Sequence, residues 1–185
     1  MRQWNYRPVQ DIAARRGGFS LVELMFVVTM LGILAATAVP SIISLDRMRN
    51  AAAADEVGRL AVLARTMAMT SGLPTAMEAS AASNEIMIVQ TGVPGGAISA
   101  AVGPDGIEIE AVTIPVQFAG TEIVSVSAQS ADGRVWFGFD GEPRLRTLGN
   151  VDDGRATTDA TVTVTGGHIV RVRPWSGTVA VEIAP

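Results

Sequence analysis

The acidic residue with the most unusual setting is Glu23. It lies four positions after Phe19, five after Gly18, and directly before a run from Leu24 to Val39 that contains no charged side chain. A lone carboxylate at bilayer depth costs roughly 2.5–3.5 kcal/mol or more, and less near the membrane surface where side chains snorkel. Such a group needs a partner. Other reactive side chains are scarce. The chain has no cysteine, which removes disulfides, thiolate metal sites and thiol nucleophiles together. His168 is the one imidazole that a nucleophile–base–orienter triad could use. Beside Gly166-Gly167 it reads as a solvent-exposed turn histidine. Asp140 with Glu142, and Asp152 with Asp153, pair carboxylates without the D-x-[DN]-x-[DN]-G spacing of a calcium loop, so both read as acidic turns. The sequence therefore predicts no catalytic residue, no metal site and no cofactor. Arg171 and Arg173 alternate with Val170 and Val172, which puts both arginines on one face of a strand. With Trp175 close by they form a candidate DNA contact, although a net negative body repels phosphate outside a focused patch.

The elements that carry these residues are marked by charge. The 185 residues suffice for one domain and an appendage, and 48% apolar against 17% charged residues excludes a disordered chain. Residues 1–18 hold Arg2, Arg7, Arg15 and Arg16 against Asp11, a net of +3, whereas residues 41–185 hold ten arginines and sixteen carboxylates, a net of -6. A basic head, an apolar stretch and an acidic body give a membrane orientation, with the head cytoplasmic and the body across the membrane. The 21 residues from Phe19 to Val39 match the ~20 needed to span the hydrocarbon layer.

This segment admits three readings. In a secretory signal peptide, Arg15 and Arg16 would be the charged region, Leu24–Leu34 the apolar core, and Ala36-Thr37-Ala38 the cleavage site. The long head, Glu23, and Pro40 just after the cut weigh against it. A plain single-pass anchor leaves Glu23 unexplained beside Gly17-Gly18. The third reading uses every piece: Gly-Gly-Phe-Ser-Leu-Val-Glu-Leu-Met (17–25), followed by an apolar helix with Pro40 near its end, resembles the class III signal of type IV pilins and pseudopilins.

That resemblance implies that a prepilin peptidase cuts between Gly18 and Phe19, that Phe19 is then N-methylated, and that the apolar segment is retained. Glu23 becomes the fifth mature residue, the position of the family's glutamate. The motif also makes physical sense. Glycine lets the backbone lie extended in a protease cleft. The freed α-amino group on Phe19 stays cationic after methylation. In a helical stack, the carboxylate of one subunit can meet the amine of its neighbour in a low-dielectric core, which offsets a desolvation that neither charge could bear alone. Glu23 is thus the expected assembly and register residue.

After Pro40, the expected site of a helix kink, residues 41–71 continue a helical pattern without further proline. Ala53, Val57, Leu60, Ala64 and Met67 form one apolar face, and Gly72 with Pro74 reads as the stop. From residue 84 the period changes to two. Residues 85–91, 107–118, 122–129, 134–139, 161–165, 168–173 and 178–183 read as strands, with Pro115 at an edge or break. Gly166-Gly167 reads as a two-residue hairpin.

The expected fold is therefore α+β: a long N-terminal helix, transmembrane in its first half and amphipathic in its second, packed on a C-terminal antiparallel β-sandwich-like domain. The expected division is a leader at 1–18, the helix at 19–71, in the membrane to about residue 40, and a periplasmic β-rich domain at 72–185. A cysteine-free β body behind such a helix is similar to the GspH/FimT subgroup of minor pseudopilins. The resemblance implies a non-catalytic subunit of a type II secretion pseudopilus. Its implied partners are the inner membrane, the prepilin peptidase and other pilin or pseudopilin subunits, with no small-molecule substrate. The alternatives are a minor pilin of a type IV pilus, acting in assembly or DNA uptake, and a secreted soluble β-sandwich binding protein.

Overall fold

The computed structural model describes residues 19–92, 96–128, 130, 132–146 and 154–184, apart from the side chains of residues 38–41. The leader lies outside the described residues. Helix α1 runs Leu21–Ser71. The chain divides into two compact units, residues 1–42 and residues 43–185.

In the first unit, large apolar side chains from Phe19 to Leu34 are exposed. Its two threonine hydroxyls among the described residues bond within the helix: Thr29 Oγ1 donates to the Met25 carbonyl at 2.7 Å, and Thr37 Oγ1 to that of Leu34 at 3.0 Å. A helix that bonds its own polar groups and presents apolar side chains outward meets the requirement of a bilayer interior. Leu21–Ser71 contains a candidate membrane span by length and composition.

Among the described residues, the second unit holds the amphipathic part of α1 and ten strands: β1 Thr75–Ser80, β2 Glu85–Thr91, β3 Ile98–Ala100, β4 Val112–Thr113, β5 Ile123–Ser127, β6 Arg134–Phe137, β7 Pro143–Arg144, β8 Ala160–Val164, β9 His168–Val172 and β10 Val179–Ile183. A short helix α2 covers Ile114–Gln117. One sheet has the order β3-β2-β1-β6-β7 with β4 also on β2, the other the order β10-β9-β8-β5. Every pairing between named strands is antiparallel.

Both inner faces and the helix share one core. Met77, Ile86, Ile88, Val135 and Phe137 from the larger sheet join Val162, Val164, Val170 and Val172 from the smaller. The helix adds the expected Ala53, Val57, Leu60, Ala64 and Met67, widened by Ala54, Ala61 and Ala68. Small side chains let the helix approach closely. At Gly58 a Cβ would lie 3.2 Å from Val181 Cγ2. Asn84 ties the sheets together: its backbone φ is +56, its Oδ1 accepts from Ile123 N of β5 at 2.7 Å, and its carbonyl accepts from Ile114 N at 3.0 Å.

Four expectations need correction. The span 107–118 is not one strand. Pro115, which has no N–H, sits at the start of α2, and Phe118 N closes that turn on the Ile114 carbonyl at 2.8 Å. Upstream, only Val112–Thr113 pairs as a strand, with an isolated bridge between Val102 and Glu108. The connection at Gly166-Gly167 is longer by one residue. Val164 faces His168 across a three-residue loop, in which both glycines adopt positive φ (+85 and +77). His168 itself opens β9 and is half-buried, not fully exposed. Finally, β1, β3 and β7 are strands that the period-two pattern does not announce.

Candidate functional site

The processing motif and the start of α1 adjoin one another. Gly18 lies outside the described residues. Phe19 and Ser20 precede the helix, and Phe19 is 77% exposed. Ser20 caps α1: its Oγ accepts from Val22 N at 3.2 Å, and its carbonyl accepts from Leu24 N at 3.0 Å. Glu23 occupies the first helical turn and is exposed. Ser20-Leu21-Val22-Glu23 is the S-x-x-E pattern of a capping box, a signal that reading these residues only as a cleavage motif passes over. A carboxylate here also faces the positive end of the helix dipole, which favours it by about 0.3–1 kcal/mol at an exposed site. Pro40 lies within α1; having no N–H, it leaves the Ala36 carbonyl without its usual helical donor.

The two arginines of the candidate DNA contact have different settings. Arg171, on β9, is held between Asp159 (Nη1 to Oδ2, 2.8 Å) and Glu182 of β10 (Nε to Oε2, 3.3 Å). A phosphate would have to compete with both carboxylates. Arg173 follows the strand and is exposed, with Trp175 62% exposed two residues on. Arg144 lies on β7 and bridges to Arg155, and Arg146 follows β7 by two residues.

The acidic turn at 140–142 is engaged by arginines. Asp140 pairs with Arg144, and Glu142 with Arg155 at 2.5 Å. Burial raises the Asp140 pKa, but the Glu142 N–H and the Arg144 guanidinium outweigh it and hold the carboxyl below its ordinary value. Asp152 and Asp153 lie outside the described residues. Among the described residues no cluster of three or more His, Cys, Asp or Glu could hold a metal ion.

The outer face of the larger sheet carries an ordered polar cluster that the sequence pattern does not reveal. Trp136 of β6 is 1% exposed, although it faces away from the main core, and packs on Ala76 and Val89. Its Nε1 donates to Asp132 Oδ2 at 2.9 Å, and the Arg146 guanidinium lies 4.1 Å from its ring centroid. Arg134 Nε donates to Glu78 Oε2 at 2.6 Å across the β1–β6 pairing. Burial raises the Asp132 pKa, yet hydrogen bonds from Trp136 and the Arg134 N–H prevail and lower it overall.

Comparison with known proteins agrees with this geometry. Residues 13–39 match the model of the prokaryotic N-terminal methylation motif. No characterised protein sequence gives a significant match. Among solved structures, the chain is similar to the minor pseudopilin EpsH from the Type 2 Secretion System of Vibrio cholerae, with a TM-score of 0.50 and 11% identity, over 73% of this chain and 97% of that one. It is also similar to the type IV minor pilin FimU of Pseudomonas aeruginosa, with a TM-score of 0.43 and 13% identity, over 75% and 90% of the two chains. The fold is thus pilin-like: a long N-terminal helix whose later part packs on an antiparallel β domain. Motif and fold together support the type IV pilin and pseudopilin superfamily.

Proposed function

We propose that this chain is a structural, non-catalytic minor pseudopilin of a type II protein secretion machine. It inserts in the inner membrane with its N-terminus cytoplasmic and its β domain periplasmic. Prepilin peptidase removes residues 1–18, Phe19 is N-methylated, and the mature chain enters a periplasmic pseudopilus. The observation that carries this reading is the match of residues 13–39 to the methylation motif, with Phe19 and Ser20 outside the helix and Glu23 in its first turn. The likeness in fold to a pseudopilin supports the secretion role.

Assembly follows from charge. The Phe19 amine of one subunit and the Glu23 carboxylate of its neighbour are each costly alone in an apolar stack, and pairing removes most of that cost. The mature protein isolated from membranes of its host is expected to begin at N-methyl Phe19 by mass spectrometry. A protein that begins at Val39 would instead be the secreted β domain. Deletion of the gene is expected to trap secreted enzymes in the periplasm; loss of surface fibres with normal secretion would assign the subunit to a type IV pilus.

A further inference from the structure

A pocket of about 230 Å³ opens beside the C-terminal end of α1, lined by residues 72–74, 136–139 and 144–146. Leu73, Pro74, Leu145 and the Trp136 ring give it apolar walls. Phe139 at its margin is 70% exposed. Arg144 lines it too, held by Asp140.

Arg146 is the unusual member. It is 9% exposed, and its guanidinium lies on the Trp136 face. Ser130 fixes its backbone from both sides, donating Oγ to the Arg146 carbonyl at 2.6 Å and accepting the Arg146 N–H at 3.0 Å. Yet its Nη1 is buried without a hydrogen-bond partner among the described residues. A buried cationic donor with no acceptor is costly, and a carboxylate is the group that would satisfy it in pairs. Two carboxylates of the surrounding turns have other work: Asp132 accepts from Trp136, and Asp140 pairs with Arg144.

Size narrows the ligand. The volume falls below the ~300–1,000 Å³ of pockets that enclose a free drug-sized ligand, and suits one or two side chains of a polypeptide. We infer that this pocket receives an acidic side chain adjacent to a large apolar one, presented by a neighbouring subunit of the filament, with the carboxylate on Arg146 and the apolar group against Phe139 and Leu73. The identity of the partner rests on the filament reading; the chemistry of the pocket does not.

The test uses the full chain in detergent carrying Trp4→Phe and Trp175→Phe, so that Trp136 alone reports by fluorescence. The probes are acetyl-Asp-Phe-amide and its neutral isostere acetyl-Asn-Phe-amide. The acidic peptide is expected to shift Trp136 emission saturably and to bind at least about tenfold more tightly than the neutral one. Arg146→Met, which keeps an apolar stem over Trp136, is expected to abolish that preference. Phe139→Ala, at an exposed and fold-neutral position, is expected to weaken binding about fivefold by loss of apolar contact. Equal titration by the two peptides, or no saturation by about 20 mM (a Kd weaker than any useful contact in a filament) overturns the inference. Should Arg146→Met not fold, the peptide pair and Phe139→Ala decide. A photo-cross-linker at position 139 in cells is expected to capture a pilin-type subunit. Failure of the peptides while Glu23→Ala still blocks assembly refutes the pocket alone. Peptide selectivity in a protein that is itself absent from purified filaments refutes the filament reading alone.

Discussion

Asp132 shows how much one carboxylate can organise. It accepts the indole N–H of a buried tryptophan and the backbone N–H of Arg134, and lies 3.4 Å from that arginine's Nη1. Asp132→Ala strands the Trp136 donor on the outer face of the sheet and is expected to destabilise the domain by about 1–3 kcal/mol in denaturant unfolding. Asp132→Asn retains an acceptor and should cost less. The folded-state pKa of Asp132 lies below its unfolded value. Its contribution to stability is therefore complete above the unfolded pKa, near 4, and declines as pH falls through the folded one. Acid unfolding of Asp132→Asn should accordingly be shallower than that of the parent below about pH 4. None of this is legible in the sequence. Asp132, Arg134 and Trp136 follow a recognisable alternation, but their partners Glu78 and Arg146 come from other strands and from beyond β7, and only the cross-strand register brings them together. Arg171 makes the same point in reverse. Its alternation with valines places it on the face opposite theirs, while the carboxylates of Asp159 and Glu182 that engage it are set by chain segments on either side.

At the scale of elements, the amphipathic part of α1 is the most readable. An apolar side chain every three or four residues produces a helical stripe whatever it packs against, and all five anticipated residues are in the core. Gly58 within that stripe shows how near the strands come. Gly58→Ala gains up to about 1 kcal/mol of helix propensity but adds a contact at 3.2 Å to Val181, so thermal unfolding is expected within about 1 kcal/mol of the parent. Gly58→Leu has no such space and is expected to lose about 1–3 kcal/mol by overpacking. Two failures of reading have equally local causes. The β1 segment, Thr-Ala-Met-Glu-Ala-Ser, has one β-branched residue, and its place between β2 and β6 comes from burial and pairing instead of propensity. The span 107–118 alternates well enough to look like a strand, but Pro115 cannot donate to a ladder and Ile114 is wanted in the core, so the chain turns into α2.

At the scale of the whole molecule, the apolar helix start, the charge reversal along the chain and the β-rich body are all visible in the sequence, because each depends on composition over many residues. Strand order is not, since it depends on which edges meet. The decisive assembly prediction also belongs here. Glu23→Ala and Glu23→Gln are expected to insert and be processed normally, yet to be lost from sheared or purified filaments; Gln preserves the polar capping pattern of the first turn and removes only the charge. Incorporation of Glu23→Gln at the parental level would refute the pairing argument, whereas loss of Glu23→Ala alone would trace the effect to the helix end.

Ser20 fixes where the helix begins, leaving Phe19 outside it. In the processing that we propose, the residue on the carboxyl side of the cut, Phe19, is therefore already outside the helical hydrogen-bond ladder. Trimming there would leave α1 wound, so a very stable anchoring rod would be no harder to release than a fragile one.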